Sequence, residues 1–324
     1  MRRFFKISLI FIIAFCVLFF IFLIQPPKGI SSSIRWGVVF SKPFTISLGL
    51  DWKETYLAIL NDLGVKYMRL PVYWPDIEPQ ENNYTFDDYD WMVKEAEKRG
   101  TKLVLVIGRK VPRWPECFIP FWAKENSDLL NYLETTVNRY KNSPALYLWQ
   151  VENEPFLSYG QCPPLDVNLL EQEINLVRSL DSKHKILITD SGELSSWLSA
   201  AKQGDVFGTT MYRIVWDKSL GYISYFFIPH QFYWLKANFA RIFYPQKPII
   251  VSELQAEPWG PGLIYDLSVE TQMQSMDLKQ FSKNIEFAKK VGFSEVYLWG
   301  TEWWYWLKVK HNDPSFWEFA KKIF

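Results

Sequence analysis

Two glutamates, Glu154 and Glu253, are the side chains in this sequence best suited to acid/base and nucleophilic chemistry. Glu154 stands in the segment LWQVENEP and Glu253 ends the segment PIIVSE, so each follows an apolar run of strand length. A pair of carboxyl groups can cleave a glycosidic bond when one protonates the leaving oxygen and the other attacks the sugar or activates water. This chemistry requires a fold that holds both side chains beside one bound bond.

The elements that must position these glutamates alternate along the chain. Apolar runs of strand length and longer amphipathic segments form eight pairs between residue 34 and the C-terminus. The predicted strands are 35–40, 67–70, 102–107, 146–151, 185–189, 206–209, 248–251 and 295–299. The clearest predicted helices are 86–99, 127–140, 167–180 and 277–291, and the fifth unit leaves room only for a short helix within 194–201. This alternation implies a parallel sheet, and eight units predict a closed (β/α)8 TIM barrel.

A barrel of this kind gathers its active site at the C-terminal ends of its strands. Glu154 follows the fourth strand and Glu253 follows the seventh, so both are predicted at the same rim on facing strands. Signatures of other chemistries are absent from the sequence: no G-x-G-x-x-G follows a strand, and no P-loop, G-x-S-x-G, H-E-x-x-H or C-x-x-C occurs. The sequence therefore argues against dinucleotide binding, a serine hydrolase and a zinc site.

The residues resemble glycoside hydrolase clan A, the barrel superfamily that includes family 5 cellulases and mannanases. The resemblance rests on Asn153-Glu154-Pro155 after strand four, joined to a glutamate on strand seven in the segment PIIVSE. It spans essentially the whole predicted barrel. By this resemblance Glu154 is expected to be the general acid/base, Glu253 the nucleophile, and Asn153 a ligand of the sugar 2-hydroxyl.

The same resemblance implies roles for three further residues. Arg69 matches the superfamily arginine that contacts the nucleophile, Tyr212 matches the tyrosine that hydrogen-bonds it, and Trp299 matches an aromatic platform beneath the sugar. A rim salt bridge for Arg69 and core packing for Tyr212 and Trp299 are the alternatives. Other rim residues are predicted to contact substrate on their position alone: Trp74, Glu257 and Trp303.

The sequence departs from family 5 at two positions. Family 5 enzymes usually have histidines near the ends of strands three and six, whereas this chain has Arg109 and Thr210 nearby. The clan assignment holds in spite of this difference, but the family and its substrate do not carry over. Glu152, two residues before Glu154, would share its face on an extended strand and is predicted either to face the core or to support the site residues from behind, and not to be catalytic.

Composition limits the class of partner. Residues 28–324 carry 33 basic and 35 acidic side chains, so no electrostatic footprint for nucleic acid exists. Aromatic residues make up 18% of the chain, with 16 Trp and 17 Tyr. This content is consistent with a tryptophan-rich core or with aromatic rings that stack on sugars in a groove.

The N-terminus predicts export. Arg2, Arg3 and Lys6 precede an uncharged apolar run over residues 7–24, and Pro26 and Pro27 follow it. Eighteen helical residues span roughly 27 Å, close to the ~30 Å hydrocarbon core, which favours an uncleaved transmembrane signal-anchor over a cleaved signal peptide. The predicted domains are a signal-anchor or signal peptide (1–27), a linker (28–33) and a catalytic domain (34–324) that is membrane-anchored outside the cytoplasm, or secreted if cleaved.

These observations together predict a retaining glycoside hydrolase that cleaves a β-linked poly- or oligosaccharide, without cofactor or metal, as a monomeric catalytic domain. A transglycosylase on the same residues and a non-catalytic carbohydrate-binding barrel are the alternatives. Export permits a disulfide between Cys117 and Cys162, which lie in the loops after strands three and four, although two unpaired thiols are the competing possibility. Cys16 is expected to be unpaired.

Overall fold

The computed structural model describes residues 2–324, and the side chains of residues 2–11 and 15 lie outside its described part. Eight parallel strands close into a barrel in the order β1-β2-β3-β4-β5-β6-β9-β10, with β10 hydrogen-bonded to β1. These strands are β1 Arg35–Val39, β2 Tyr67–Pro71, β3 Lys102–Ile107, β4 Leu146–Val151, β5 Lys185–Asp190, β6 Val206–Met211, β9 Ile249–Gln255 and β10 Glu295–Trp299. The predicted (β/α)8 barrel is confirmed.

Helices surround the barrel and connect its strands. They are α1 Arg2–Leu23, α2 Lys42–Ser47, α3 Trp52–Asn61, α4 Trp74–Ile77, α5 Asp87–Arg99, α6 Asn126–Tyr140, α7 Val167–Leu180, α8 Leu198–Gln203, α9 His230–Phe243, α10 Val269–Met273, α11 Leu278–Val291, α12 Thr301–Lys310 and α13 Ser315–Ala320. Local sequence explains their ends. For example, α5 begins with Asp87 and Asp88, ends with Lys98 and Arg99, and is capped by a left-handed Gly100. Acidic residues at the start and basic residues at the end complement the helix dipole.

The core has two parts. Alternate strand residues, among them Val104, Leu148, Leu187 and Ile250, form one cluster of buried side chains within the barrel. A larger cluster lies between the strands and the surrounding helices. Since the strands are covered on both faces, they consist of nearly continuous apolar residues until their C-terminal ends, where the polar residues begin.

The connection between β6 and β9 differs most from the prediction. It contains a two-stranded antiparallel hairpin, β7 Ile214–Asp217 and β8 Gly221–Ser224, followed by the 14-residue helix α9. None of these three elements is among the clear elements of the sequence pattern. Their short apolar runs are interrupted by polar and glycine residues, so periodicity does not distinguish them from a loop.

The structure does not support the predicted transmembrane anchor over residues 7–24, part of which lies outside the described side chains. Among the residues that the structure does describe, no helix is both long enough and apolar enough to cross a membrane. The helix α1 ends at Leu23, whose side chain is buried. Asn238 on α9 donates hydrogen bonds from Nδ2 to the carbonyl oxygens of Leu23 (2.9 Å) and Gln25 (2.8 Å), so the last turn packs against the barrel domain.

A disulfide between Cys117 and Cys162 confirms the predicted pairing. Their Cα atoms lie 5.2 Å apart, and the bond joins the loop after β3 to the loop after β4. Cys16 on α1 is a free, exposed cysteine.

Candidate active site

An open cleft of about 440 Å³ lies at the C-terminal ends of the barrel strands. Glu154, Glu253, Tyr212, Trp299 and Glu257 line it, as the sequence predicts for rim residues. Glu253 lies inside β9, which extends four residues beyond its predicted end to Gln255. The backbone of Glu253 pairs with Thr210 on the neighbouring strand β6, so its carboxyl group extends from the sheet itself and not from a loop.

Arg69 on β2 holds three residues of the site together. Its side chain is completely buried. Nη1 donates to Glu253 Oε1 at 2.6 Å, Nε donates to Gln150 Oε1 at 2.7 Å, and Nη2 donates to Asn153 Oδ1 at 2.7 Å. The guanidinium group thus supplies a compensating charge for the buried Glu253 carboxylate and fixes the orientation of the Asn153 amide.

Tyr212, just after β6, binds the other oxygen of Glu253. Its hydroxyl donates to Glu253 Oε2 at 2.8 Å. Burial, together with the charge of Glu253, raises the pKa of Tyr212 well above its usual value, so the phenol keeps its proton and remains a donor. Each carboxylate oxygen of Glu253 therefore accepts a hydrogen bond, one from Arg69 on β2 and one from Tyr212 just after β6.

Glu154 has a different environment. Its carboxyl oxygen Oε1 accepts a 3.3 Å hydrogen bond from the Thr210 hydroxyl, and its backbone N–H donates to the Thr189 hydroxyl at 2.9 Å. Burial raises the pKa of Glu154 well above its usual value, and the negative charges of Glu253 and Glu116 raise it further. The environment of Glu154 therefore favours its protonated form more strongly than that of an ordinary carboxyl group.

Backbone geometry aims Glu154 into the cleft. The residue has a φ of +42°, in the left-handed region that non-glycine residues rarely adopt. Such a conformation costs about 1–3 kcal/mol and persists only where the surroundings enforce it. Here the enforcing contact is the bond from its N–H to Thr189 on β5. A turn in place of a continued strand directs the carboxyl group toward the opposite side of the barrel.

Trp299, the last residue of β10, lines the cleft but has one face covered. The guanidinium carbon of Arg113 lies 4.0 Å from the centroid of its ring and 3.7 Å from the centroid of the Phe44 ring. Arg113 also forms ion pairs with Glu257 and, at 3.3 Å, with Glu302. Only the opposite face of the Trp299 indole can therefore meet a ligand.

Two predicted substrate contacts, Trp74 and Trp303, are corrected because neither lines the cleft. Trp74 is 2% exposed, and its Nε1 donates to Glu78 at 2.9 Å. Trp303 is fully buried, and its Nε1 donates to Gln272 at 2.7 Å. Trp74 lies in α4 and Trp303 in α12, and both rings belong to the buried core between the strands and the helices. Position after a strand end did not distinguish these residues from the cleft residues.

Some of the remaining rim residues line the cleft, and others stabilise the loops around it. Trp114 and Trp259 line the cleft. The carboxylate of Glu152 accepts hydrogen bonds from the backbone N–H groups of Arg109 (2.9 Å) and Lys110 (2.7 Å), so it supports the loop after β3 and does not face the cleft. At the histidine-equivalent positions, Thr210 contacts Glu154 and Arg109 lies outside the cleft.

Among the carboxyl groups that line the cleft, sequence reasoning missed Glu116 and Glu193. Burial raises the pKa of each to about 7. Glu116 Oε2 accepts a 3.0 Å hydrogen bond from Asn153 Nδ2. Neither residue ends a strand, which explains the omission. The sequence held one indication of the position of Glu116: the next residue is Cys117, whose disulfide fixes the loop that carries Glu116.

Comparison with known proteins identifies the family. Residues 40–222 match the family Cellulase (glycosyl hydrolase family 5). Mannan endo-1,4-beta-mannosidase A of Podospora anserina is 29% identical over 122 residues, covering 32% of this chain and 31% of that protein. The protein of the same name from Aspergillus aculeatus is 29% identical over 123 residues, covering 32% and 30%. The matched region thus spans under a third of the length of these curated relatives.

Solved structures share the fold. GH5_18 from Bifidobacterium longum subsp. longum superposes with a TM-score of 0.60 at 15% identity, covering 82% of this chain and 69% of that one. A GH5_18 variant from Streptomyces cattleya, in complex with Manβ1-4GlcNAc, gives a TM-score of 0.54 at 14% identity, covering 82% and 71%. With a family match over more than half of its length and this barrel, the chain belongs to glycosyl hydrolase family 5.

Proposed function

We propose that this protein is a retaining glycosidase that hydrolyses an O-glycosidic bond in a β-linked poly- or oligosaccharide. The observation that carries the proposal is the contrast between two carboxyl groups in one cleft. Glu253 lies between the donors Arg69 and Tyr212, whereas burial and neighbouring negative charge raise the pKa of Glu154. Two such carboxyl groups are what double displacement at a sugar requires.

In the first step, the Glu253 carboxylate attacks the anomeric carbon while Glu154 gives its proton to the leaving oxygen. The glycosidic C–O bond breaks, and an ester bond between the sugar and Glu253 forms. In the second step, ionised Glu154 takes a proton from water, the water oxygen attacks the anomeric carbon, and Glu253 is released. Asn153 binds the sugar 2-hydroxyl and Trp299 packs beneath the ring. Two inversions at one carbon give net retention.

A row of aromatic rings supports a carbohydrate substrate. It runs from Tyr212 to Trp259 (5.2 Å between centroids), on to Tyr159 (5.9 Å) and then to Trp114 (6.1 Å). Trp114 is 50% exposed, so its ring is accessible for stacking on a sugar. We name these four residues the aromatic row. Because the curated relatives are mannan endo-1,4-beta-mannosidases, β-1,4-mannans are the first substrates to test, with β-glucans second.

Trapping the covalent intermediate tests the mechanism. The protein is incubated with 2,4-dinitrophenyl 2-deoxy-2-fluoro-β-mannoside or -glucoside, and its intact mass is measured. One added fluoroglycosyl group is expected, on the peptide that contains Glu253, and Glu253→Gln should gain none. Labelling of another residue, or first appearance of the inverted anomer in a proton NMR time course with the natural linkage, would contradict the proposal. Product analysis with an added disaccharide acceptor distinguishes the hydrolase from a transglycosylase.

We also propose that the barrel works outside the cytoplasm. The disulfide between Cys117 and Cys162 supports this location, because such bonds persist in oxidising compartments. Alkylation of the native protein without reductant should leave both cysteines unmodified. Two alkylated thiols at these positions would contradict the proposed location.

A further inference from the structure

The loops after β3 and β4 form a rigid junction beside the cleft. We call residues 109–117 the β3 loop and residues 155–162 the β4 loop. The Cys117–Cys162 disulfide joins them, and the backbone N–H of Gln161 donates to the carbonyl oxygen of Pro115 at 2.9 Å. Lys110 Nζ donates to the carbonyl oxygen of Leu157 at 2.7 Å. Covalent, main-chain and side-chain contacts therefore fix one loop against the other.

Glu116 rests directly on this junction. Gly160 in the β4 loop has a φ of +89°, and a Cβ atom there would lie 2.5 Å from Glu116 Cβ and 2.8 Å from the Pro115 carbonyl oxygen. Only glycine allows this close approach. The stem of Glu116 is thus packed against the backbone of the β4 loop, and its carboxyl group has little freedom to turn away from the cleft.

The carboxyl group of Glu116 lies next to the amide of Asn153. Asn153 Oδ1 accepts from Arg69, which directs Nδ2 toward Glu116 Oε2 at 3.0 Å. Glu116 is 8% exposed and lines the same cleft as Glu154 and Glu253. Among the side chains that the structure describes, none forms an ion pair with Glu116. Its carboxyl group is therefore a buried, hydrogen-bonding group at the cleft that the proposed reaction has not used.

The position of Glu116 relative to Glu253 limits which part of a sugar it can meet. Arg69 links Glu253 and Asn153 directly, so the Asn153–Glu116 pair lies beside the group proposed to bond the anomeric carbon. The neighbours of that carbon are the ring oxygen, which only accepts hydrogen bonds, and the C2 substituent. A C2 hydroxyl both donates and accepts, so it can accept from the Asn153 amide and donate to the Glu116 carboxyl oxygen.

We propose that Glu116 is a further substrate-binding residue, which selects sugars with a free hydroxyl at C2 in the reacting position by hydrogen-bonding that group together with Asn153. The inference rests on the proposed glycosidase function and extends it to the choice of sugar. It applies to gluco- and manno-configured sugars, both of which carry a hydroxyl at C2.

The test compares aryl glycosides with and without the C2 hydroxyl. Values of kcat/KM are measured for 2,4-dinitrophenyl β-mannoside, β-glucoside and their shared 2-deoxy analogue, with the wild-type protein, Glu116→Ala and Glu116→Gln. The wild type should prefer the hydroxylated sugar, and Glu116→Ala should reduce this preference at least about tenfold, the value of one hydrogen bond to a charged group. Glu116→Gln keeps an acceptor oxygen, so it should retain part of the preference for the hydroxylated sugar.

Glu193→Gln is the matched control, because Glu193 is another carboxyl group in the cleft, half-buried, whose Oε1 accepts a hydrogen bond from the Tyr212 backbone N–H at 2.9 Å. It should change the rates for hydroxylated and 2-deoxy sugars by the same factor. An unchanged preference in Glu116→Ala, with folding confirmed by circular dichroism, would overturn the inference while leaving the glycosidase proposal intact. No turnover of any glycoside by the wild type would overturn the proposed function and this inference with it.

Discussion

At the scale of single residues, two chemically identical side chains have different environments. Glu253 accepts hydrogen bonds from a guanidinium group and a phenol, whereas Glu154 accepts one from a hydroxyl and has the negative neighbours Glu253 and Glu116, which raise its pKa. The pattern matches the general rule that catalytic carboxyl pairs differ through burial and charge. The two glutamates should therefore respond differently to substitution and to pH.

Replacing Glu154 should affect substrates according to their leaving groups. Glu154→Ala removes the proton donor, so hydrolysis of substrates with poor leaving groups should slow by ~10² to 10⁴. Formation of the covalent intermediate from dinitrophenyl glycosides, whose leaving group departs without a proton, should be nearly unaffected. Pre-steady-state release of dinitrophenol measures this step. Equal losses for both classes of substrate would remove Glu154 from the acid role.

The pH dependence of kcat/KM should include an alkaline decrease that is caused by the deprotonation of Glu154. Burial and the nearby charges of Glu253 and Glu116 raise the pKa of this group, and the proton donor is active only when protonated. For alkyl glycosides, kcat/KM should fall as the pH rises through that pKa. With dinitrophenyl glycosides the same alkaline limb should be absent. An alkaline limb identical for both substrates would assign it to another group.

At the scale of elements, the strand ends supply Arg69, Asn153, Tyr212 and Trp299, but loops decide which further side chains reach the cleft. The β3 loop carries Arg113, Trp114 and Glu116, and the disulfide fixes it to the β4 loop. Helices that begin directly after β2 and β10 instead bury Trp74 and Trp303. Element type therefore separates the aromatic residues that line the cleft from those that pack in the core.

Removal of the disulfide should lower both stability and activity. The Cys117→Ser/Cys162→Ser variant loses a bond that closes a sequence separation of 45 residues. Closure of a loop of this size is typically worth about 2–4 kcal/mol, so the free energy of unfolding in a urea titration should fall by that amount. KM should rise, because the junction holds Glu116 at the cleft. The control Cys16→Ser changes a free, exposed thiol and should leave both quantities unchanged.

Two tryptophans with similar positions after strand ends should behave in opposite ways. Trp303→Ala removes a fully buried ring and should lower the free energy of unfolding by about 3–5 kcal/mol, with KM of the folded protein unchanged. Trp259→Ala removes a ring of the aromatic row and should raise KM, with little change in stability. Urea unfolding and oligosaccharide kinetics on both variants measure the contrast. A raised KM in Trp303→Ala would return that residue to the substrate site.

At the scale of the whole molecule, buried carboxyl groups link stability to pH. Burial raises the pKa of Glu116, Glu193 and Glu302 to about 7 in the folded protein, against 4.5 for the ordinary group. The folded state therefore holds more protons than the unfolded state between these values. A carboxyl group whose pKa is raised on folding stabilises the folded state at pH values below its ordinary pKa. This stabilisation is therefore present near pH 4.5, and it is lost as the pH rises to about 7.

Urea unfolding at pH 5 and pH 8 should detect this loss. The free energy of unfolding should be lower at pH 8, by on the order of 1 kcal/mol or more for each group. In Glu302→Gln, which keeps an oxygen to accept the Ser41 N–H, the difference between the two pH values should shrink. Equal stability of the wild type at both pH values would contradict the expectation.

The sequence by itself determined the barrel and the two rim glutamates. Alternating apolar strands and amphipathic helices have few solutions other than a parallel barrel, and such a barrel places strand ends at one rim. Seven of the eight barrel strands in the structure start at the predicted residue, because continuous apolar runs buried on both faces are a strong local signal. The positions of Glu154, Glu253, Arg69, Asn153 and Tyr212 follow from these strands.

The tertiary structure alone decided which loop residues reach the cleft. Glu116 is distant from Asn153 in sequence, and their contact depends on the meeting of two loops around Gly160 and the disulfide. Trp74 and Trp303 have the same local signal as Trp259, yet their rings turn into the core. Loop conformation depends on non-local packing, which no periodicity encodes, so these assignments required the folded chain.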